Sequence, residues 1–217
     1  MPEAAPGPRG TITVLAGING AGKSSIAGAY LRQAGGDYYN PDEFTRSLLH
    51  QNPGLDPAEA NSLAWMRGKE LLEHAIAAGT DFVFETTLGA RTIPQLLARA
   101  AMEGMGVKIF FVGLASVEHH LRRVAARVAE GGHDIPEDKI RARWESSRLN
   151  LVRLLPHLAE LMVWDNSAEA DLATSAPAPV LLLHLRKGRI AAPKNLSATP
   201  DWAKPIVAAA LKLQPPG

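Results

Sequence analysis

TITVLAGINGAGKSS, residues 11–25, joins a β-branched apolar run to a glycine-rich turn that ends in Lys-Ser-Ser. Gly17, Gly22, Lys23 and Ser24 satisfy G-x-x-x-x-G-K-[ST]. The flanks predict a strand over 11–16 and a helix over 23–33 that Gly35 and Gly36 end, which is the context in which this pattern carries a mechanism. The glycines, Gly20 included, let successive backbone N–H groups turn inward around phosphate oxygens. The helix start aims its positive dipole end at the same place. Asn19, Ala21 and Ser25 complete the predicted nucleotide-binding stretch. Lys23 is suited to the β- and γ-phosphates of ATP, and the Ser24 hydroxyl to Mg2+.

Outward from this loop, strands and helices alternate. Asp37–Asn40 reads as a short second strand stopped by Pro41. Asp56, Pro57 and Glu59 give an N-cap acid, a proline at the first helical position and an early glutamate, so a helix is predicted from there to Ala78. DFVFET (81–86) is a third strand, and a helix follows over 93–105. VKIFFVGL (107–114) is a fourth strand whose unbroken apolar character suits a parallel sheet buried on both faces. Ser116 caps a helix over 117–130, and Gly131 and Gly132 end it. A polar, arginine-rich stretch fills 133–150, and ELMVWDNS (160–167) is a fifth strand. PVLLLHLRKGRIAA (179–192) reads as a hairpin turning at Lys187 and Gly188, and TPDWAKPIVAAALKL as a closing helix. The pattern predicts an α/β, three-layer P-loop kinase fold: a mostly parallel central sheet, an arginine-rich lid and a C-terminal hairpin plus helix. Residues 1–10, rich in Pro, Gly and Ala, are expected to be a disordered lead-in to one domain over 11–217, with the lid near 131–150.

Composition narrows the functional classes. Lys plus Arg total 23 against 22 Asp plus Glu, so no net field calls for a nucleic acid or an acidic membrane surface. With no cysteine, disulfides and thiol catalysis are excluded. No apolar run approaches the roughly 18 residues of a membrane span, and the first ten residues lack a secretory apolar core. A cytoplasmic protein without a membrane partner is expected.

The acceptor side is predicted at the carboxyl ends of the second and third strands, the edge where open α/β sheets bind ligands. Asn40, Asp42, Glu85 and Thr86 lie there. Asp42 is open to two uses: helper of the helix NPDEFTRSLL, since acids favour helix starts, or general base for an attacking hydroxyl. Glu85, ending the apolar run FVF, must be paired, metal-linked or facing substrate. KIFFVGL lacks the terminal Asp that motor ATPases use for magnesium, which favours kinases over motors and switches. Among the arginines of 122–148, Arg127 and Arg143 are the candidates for closing over a transferred phosphoryl group, on a lid hinged at Gly131 and Gly132. Histidines 119, 120, 133, 157 and 184 show no metal-ligand spacing and are expected in structural or surface roles.

GINGAGKSS, NPDEF, FETTLGART, RVAEGGHDIPEDKIRARW, SSRLNL and WDNS, in this order over about residues 11–167, resemble the chromosomally encoded zeta-toxin-like small-molecule kinases. The resemblance implies a fold similar to nucleoside-monophosphate kinases. Plasmid-borne members of that family phosphorylate the 3′-hydroxyl of the amino sugar of UDP-N-acetylglucosamine, so that molecule is the implied leading acceptor. It further implies Lys23 and Ser24 for ATP and Mg2+, Asp42 as base, Glu85 with Thr86 for the amino sugar, and Arg127 for the γ-phosphate. Arg143, after the proline of HDIP, is the implied counterpart of a lid arginine that precedes it in plasmid toxins. Ser146 stands where members of this branch usually carry arginine. An antitoxin encoded elsewhere is an implied partner. A kinase for another nucleoside, sugar or RNA end, and an ATP-gated binding module without turnover, share these motifs.

Overall fold

The computed structural model describes residues 9–24, 38–132, 134–169 and 178–214. Strand β1 (Thr11–Ala16) runs parallel between β2 (Phe82–Thr86) and β3 (Gly106–Gly113). β4 (Glu160–Asp165) extends the parallel side of β3. β5 (Val180–Arg186) and β6 (Arg189–Ala192) then close the sheet antiparallel, in the order β2-β1-β3-β4-β5-β6. Ile12, Val14, Leu15 and Ala16 are wholly buried, as a central strand covered on both faces requires. The hairpin turns at Lys187 and Gly188, both with positive φ (47° and 74°), as the two-residue turns that match strand twist demand.

Of the predicted second strand, residues 38–40 are described, and they form one parallel bridge, Tyr39 to Phe84, beside β2. Pro41 lacks an N–H and opens a helix instead. Helix α1 (Pro41–Gln51) is followed by α2 (Pro57–Ala78), which starts as predicted: Asp56 accepts from the N–H groups of Ala58 and Glu59, and Gly79 ends it at φ 65°. α3 (Thr92–Met102) crosses to β3 and α4 (Val117–Ala129) leaves it, capped by Ser116. The Gly131–Gly132 pair ends α4 as expected: Gly132 N–H donates to Arg127 O at 2.8 Å and Gly131 N–H to Val128 O at 2.9 Å.

The arginine-rich stretch contains α5 (Glu137–Leu154), which composition concealed. Its buried face carries Ile140, Ser147, Asn150, Leu151 and Leu154. Two of those five are polar, so the apolar stripe that normally betrays a helix is interrupted. α6 (Lys204–Lys212) closes the chain, and the turn before it buries Trp202 against β3. A Cβ at Gly113 would lie 2.3 Å from that indole, which is why glycine ends β3. Arg9 and Gly10, expected in the disordered lead-in, are tied down: Arg9 Nη1 donates to Glu103 O and Gly10 N–H to Gly79 O, both at 2.8 Å. Of the helix predicted over 23–33, only Lys23 and Ser24 lie within the described residues, and both are helical. No helix among the described residues is long and apolar enough to cross a membrane.

Candidate active site

The turn after β1 has the backbone that its glycines permit. Gly17, Gly20 and Gly22 have φ of 137°, 81° and 85°. At Gly17 the space is also closed, because a Cβ there would meet the Val112 carbonyl at 2.2 Å. Asn19 and Lys23 are buried, and Lys23 Nζ donates to Ile18 O at 3.5 Å. Ser25 lies outside the described residues.

Glu85 sits at the centre of the site and is only 6% exposed. Parallel pairing of β1 with β2 sets Glu85 opposite Leu15, two residues before the loop begins. Its Oε1 is 3.3 Å from Lys23 Nζ, and its Oε2 accepts from the Ser24 hydroxyl at 2.8 Å. The same oxygen accepts from Asn40 Nδ2 at 3.4 Å. Of the three uses open to it, the carboxylate is thus paired with the loop lysine. Asn40 Oδ1 meanwhile accepts from the N–H groups of Asp42 (2.9 Å) and Glu43 (3.3 Å), so Asn40 caps α1 and Asp42 does not. Freed of that task, the Asp42 carboxylate is half exposed and lies 3.8 Å from Arg127 Nη1. Thr86 Oγ1 accepts from Leu88 N–H at 3.1 Å, a local bond at the end of β2.

Arg143 lies under the site. Its Nη1 donates to Asn19 Oδ1 at 2.7 Å, and its stem packs where a Gly89 side chain would go. Burial pushes its guanidinium below the ordinary value, and the Asp42 charge opposes that shift. Farther along the same helix, Ser147 Oγ donates to Thr87 O at 2.7 Å, and Asn150 Nδ2 donates to Leu88 O (2.8 Å) and Ala90 O (3.1 Å). These bonds pin the β2–α3 loop, in which buried Leu88 adopts φ 57°. A bulky residue holds that conformation only where its surroundings over-determine it.

Ser147, Asn150 and Asn166 lay in quoted motifs but were given no role by sequence, and His120 was expected only in a structural or surface role. The spacing of Arg143, Ser147 and Asn150, one helix face, was the signal for the first two. His120 is buried edge-on to Trp144, at 5.5 Å between ring centres, and its imidazole is pushed down to about 4, chiefly by burial. Among the described residues, no group of three or more His, Cys, Asp or Glu could hold a metal by itself.

Comparison with known proteins agrees with this architecture. Residues 12–153, most of the chain, match the family described as an AAA domain, AAA_33. An uncharacterized protein of Haemophilus influenzae is 32% identical over 128 residues, which cover 59% of this chain and 88% of that protein. Among solved structures, the AvrRxo1-ORF1:ORF2 complex with ATP aligns with a TM-score of 0.64 at 18% identity over 94% of this chain. This chain spans 64% of the length of that one. The PezAT chromosomal toxin-antitoxin system of Streptococcus pneumoniae aligns with a TM-score of 0.54 at 15% identity, covering 80% of this chain and 76% of that chain. At such identities the structural likeness speaks for the fold alone. With residues 12–153 matched and the phosphate loop in place after β1, the chain belongs to the AAA_33 family of AAA domains.

Proposed function

We propose that this protein is an ATP-dependent kinase that transfers the γ-phosphate to a hydroxyl of a small molecule, with UDP-N-acetylglucosamine as the leading acceptor. The observation that carries the reading is the Glu85 bridge. One carboxylate touches Lys23 and Ser24 of the phosphate loop and also Asn40, the cap of the helix whose first turn bears Asp42. The loop that suits a triphosphate and the carboxylate that suits a base therefore share one corner of the sheet edge.

In this reading Lys23 exchanges Glu85 for the β- and γ-phosphates. Asp42 takes the proton of the acceptor hydroxyl as its oxygen bonds to the γ-phosphorus. The bond from that phosphorus to the β–γ bridging oxygen breaks, and ADP leaves. Arg127, 3.8 Å from the base, would bring its charge to offset that spreading over the transferred group. Thr86 and the loop that Ser147 and Asn150 pin would wall the acceptor. Mg2+ usually binds through one or two protein oxygens together with substrate phosphates. The Ser24 hydroxyl and Glu85 carboxylate, 2.8 Å apart, are hard oxygen donors of that kind and would hold it. Bound there, the ion supplies charge neutralisation between the β- and γ-phosphates. The likeness to a chain of the PezAT toxin-antitoxin system supports an antitoxin as a candidate partner.

The test is a metabolite extract incubated with protein, ATP and Mg2+ and read by mass spectrometry. The expected result is one metabolite heavier by a phosphoryl group, lost with Asp42→Ala, which should lower transfer by about 10²- to 10⁴-fold while ATP affinity stays within about twofold. Phosphorylation of a different metabolite would keep the kinase and replace the acceptor. ATP binding with no phosphorylated product, or full transfer by Asp42→Ala, would refute the proposal.

A further inference from the structure

The carbonyls of the phosphate loop have partners outside the loop itself. His120 Nδ1 lies 2.9 Å from Asn19 O, and Asn166 Nδ2 donates to Ala21 O at 2.9 Å. A carbonyl only accepts, so His120 carries its proton on Nδ1. In a planar trans peptide the C=O and the following N–H point to opposite sides. Pinning the Asn19 carbonyl therefore aims the Gly20 N–H the other way, and pinning the Ala21 carbonyl does the same for Gly22. We propose that His120 and Asn166 are positioning residues of the phosphate loop, holding two of its carbonyls outward so that the Gly20 and Gly22 N–H groups face the nucleotide.

Both holders are themselves fixed. His120 is 1% exposed, and its ring is packed edge-on to Trp144. A Cβ on Gly20 would stand 2.9 Å from His120 O, so the α4 backbone abuts the loop directly. Asn166 donates its N–H to Gly113 O at 3.0 Å and accepts from Arg123 Nη2 on its own carbonyl at 2.8 Å. Glycines give this loop its reach but also freedom to collapse. Two external hydrogen bonds at alternate carbonyls remove that freedom before any phosphate arrives, the general route by which preorganisation raises affinity. The inference rests on the loop holding ATP phosphates, and it needs no knowledge of the acceptor.

The test measures binding of N-methylanthraniloyl-ATP with Mg2+ to the full chain by fluorescence. His120→Leu and Asn166→Ala are each expected to weaken binding about 3- to 10-fold, the loss of one net hydrogen bond. His120→Asn, whose amide nitrogen can replace Nδ1, should recover most of that loss. If His120→Leu does not fold, Asn166→Asp, which sets an acceptor against the Ala21 carbonyl, should weaken binding at least as much as Asn166→Ala. Wild-type affinity in Asn166→Ala and His120→Leu, or equal weakness in His120→Asn and His120→Leu, would overturn the proposal. Nitrogen-15 spectroscopy of the histidines should find His120 protonated on Nδ1, and an Nε2-protonated ring would overturn it independently. A wild-type protein that binds no ATP would instead end the functional reading, leaving the tautomer to decide the carbonyl bond alone.

Discussion

Replacing Glu85 by Gln tests the centre of the site without touching its shape. The Lys23 and Glu85 side chains are each 8% exposed, with 3.3 Å between charged atoms. At an effective dielectric near 20 their gross attraction is about 5 kcal/mol. Part of that offsets desolvation, and Ile18 O continues to accept from Lys23 in the variant. Removing one partner of a buried pair costs about 3–5 kcal/mol because the other charge is left uncompensated. With that residual bond, about 3 kcal/mol is expected. For a chain of this size each kcal/mol moves Tm by about 2–4 °C, so the nucleotide-free variant should melt roughly 6–12 °C below the wild type. ATP brings negative charge to the same lysine, so saturating ATP should raise the variant's Tm by more than it raises the wild type's. Differential scanning fluorimetry with and without ATP, in the absence of Mg2+, measures both. A nucleotide-free Tm within 1–2 °C, roughly the effect of half a kcal/mol, would mean that the lysine is not held by this carboxylate. An ATP-induced shift equal to the wild type's would mean that phosphates do not take its place.

Gly113→Ala should drive a methyl group to 2.3 Å from the buried Trp202 ring. Overpacking of about 1–3 kcal/mol predicts a Tm lower by roughly 2–12 °C, and an unchanged melt by circular dichroism would refute that contact. His120 gives a pH dependence whose sign is fixed by its imidazole, depressed from 6.5 to about 4. As pH falls the unfolded chain takes the proton first. Stability is therefore complete above pH 6.5 and declines towards pH 4 by about 3 kcal/mol. His120→Asn removes that decline, so urea midpoints at pH 7 and 4.5 should differ less in the variant. Equal differences would show that the ring is not held neutral.

Much of this architecture was legible because the signals were local. A β-branched run bounded by glycine gave β1, apolar runs gave β2 and β3, and the Asp56-Pro57 pair gave the start of α2. Side-chain destinations were less legible. Asp42 and Asn40 are both plausible caps two residues apart, and only the backbone decides that Asn40 takes the task. Glu85 read as paired, metal-linked or facing substrate. The choice of Lys23 follows from the register of β1 against β2, a long-range fact with no trace in local pattern. Arg143 was read as an arginine that closes over the transferred group; its hydrogen bond to Asn19 of the phosphate loop depends on the docking of α5, which the polar composition of that stretch hid.

That helix bears on how a site built from loops keeps the geometry that the proposed transfer needs. Donor and acceptor must meet in line with errors of a fraction of an ångström, and misplacement by about 1 Å can cost 10²-fold in rate. Yet the phosphate loop and the β2–α3 loop are both irregular chain. α5 touches both with one face: Arg143 holds Asn19, and one and two turns later Ser147 and Asn150 hold the carbonyls of Thr87, Leu88 and Ala90. The span from Arg143 to Asn150 is about 10 Å of helix at 1.5 Å per residue, a length that cannot change without breaking backbone hydrogen bonds. Ile140, Leu151 and Leu154 seat that ruler in the core at both ends. The spacing between the two loops is thus set by an element of fixed rise, and a displacement of α5 carries both loops together and leaves their separation intact.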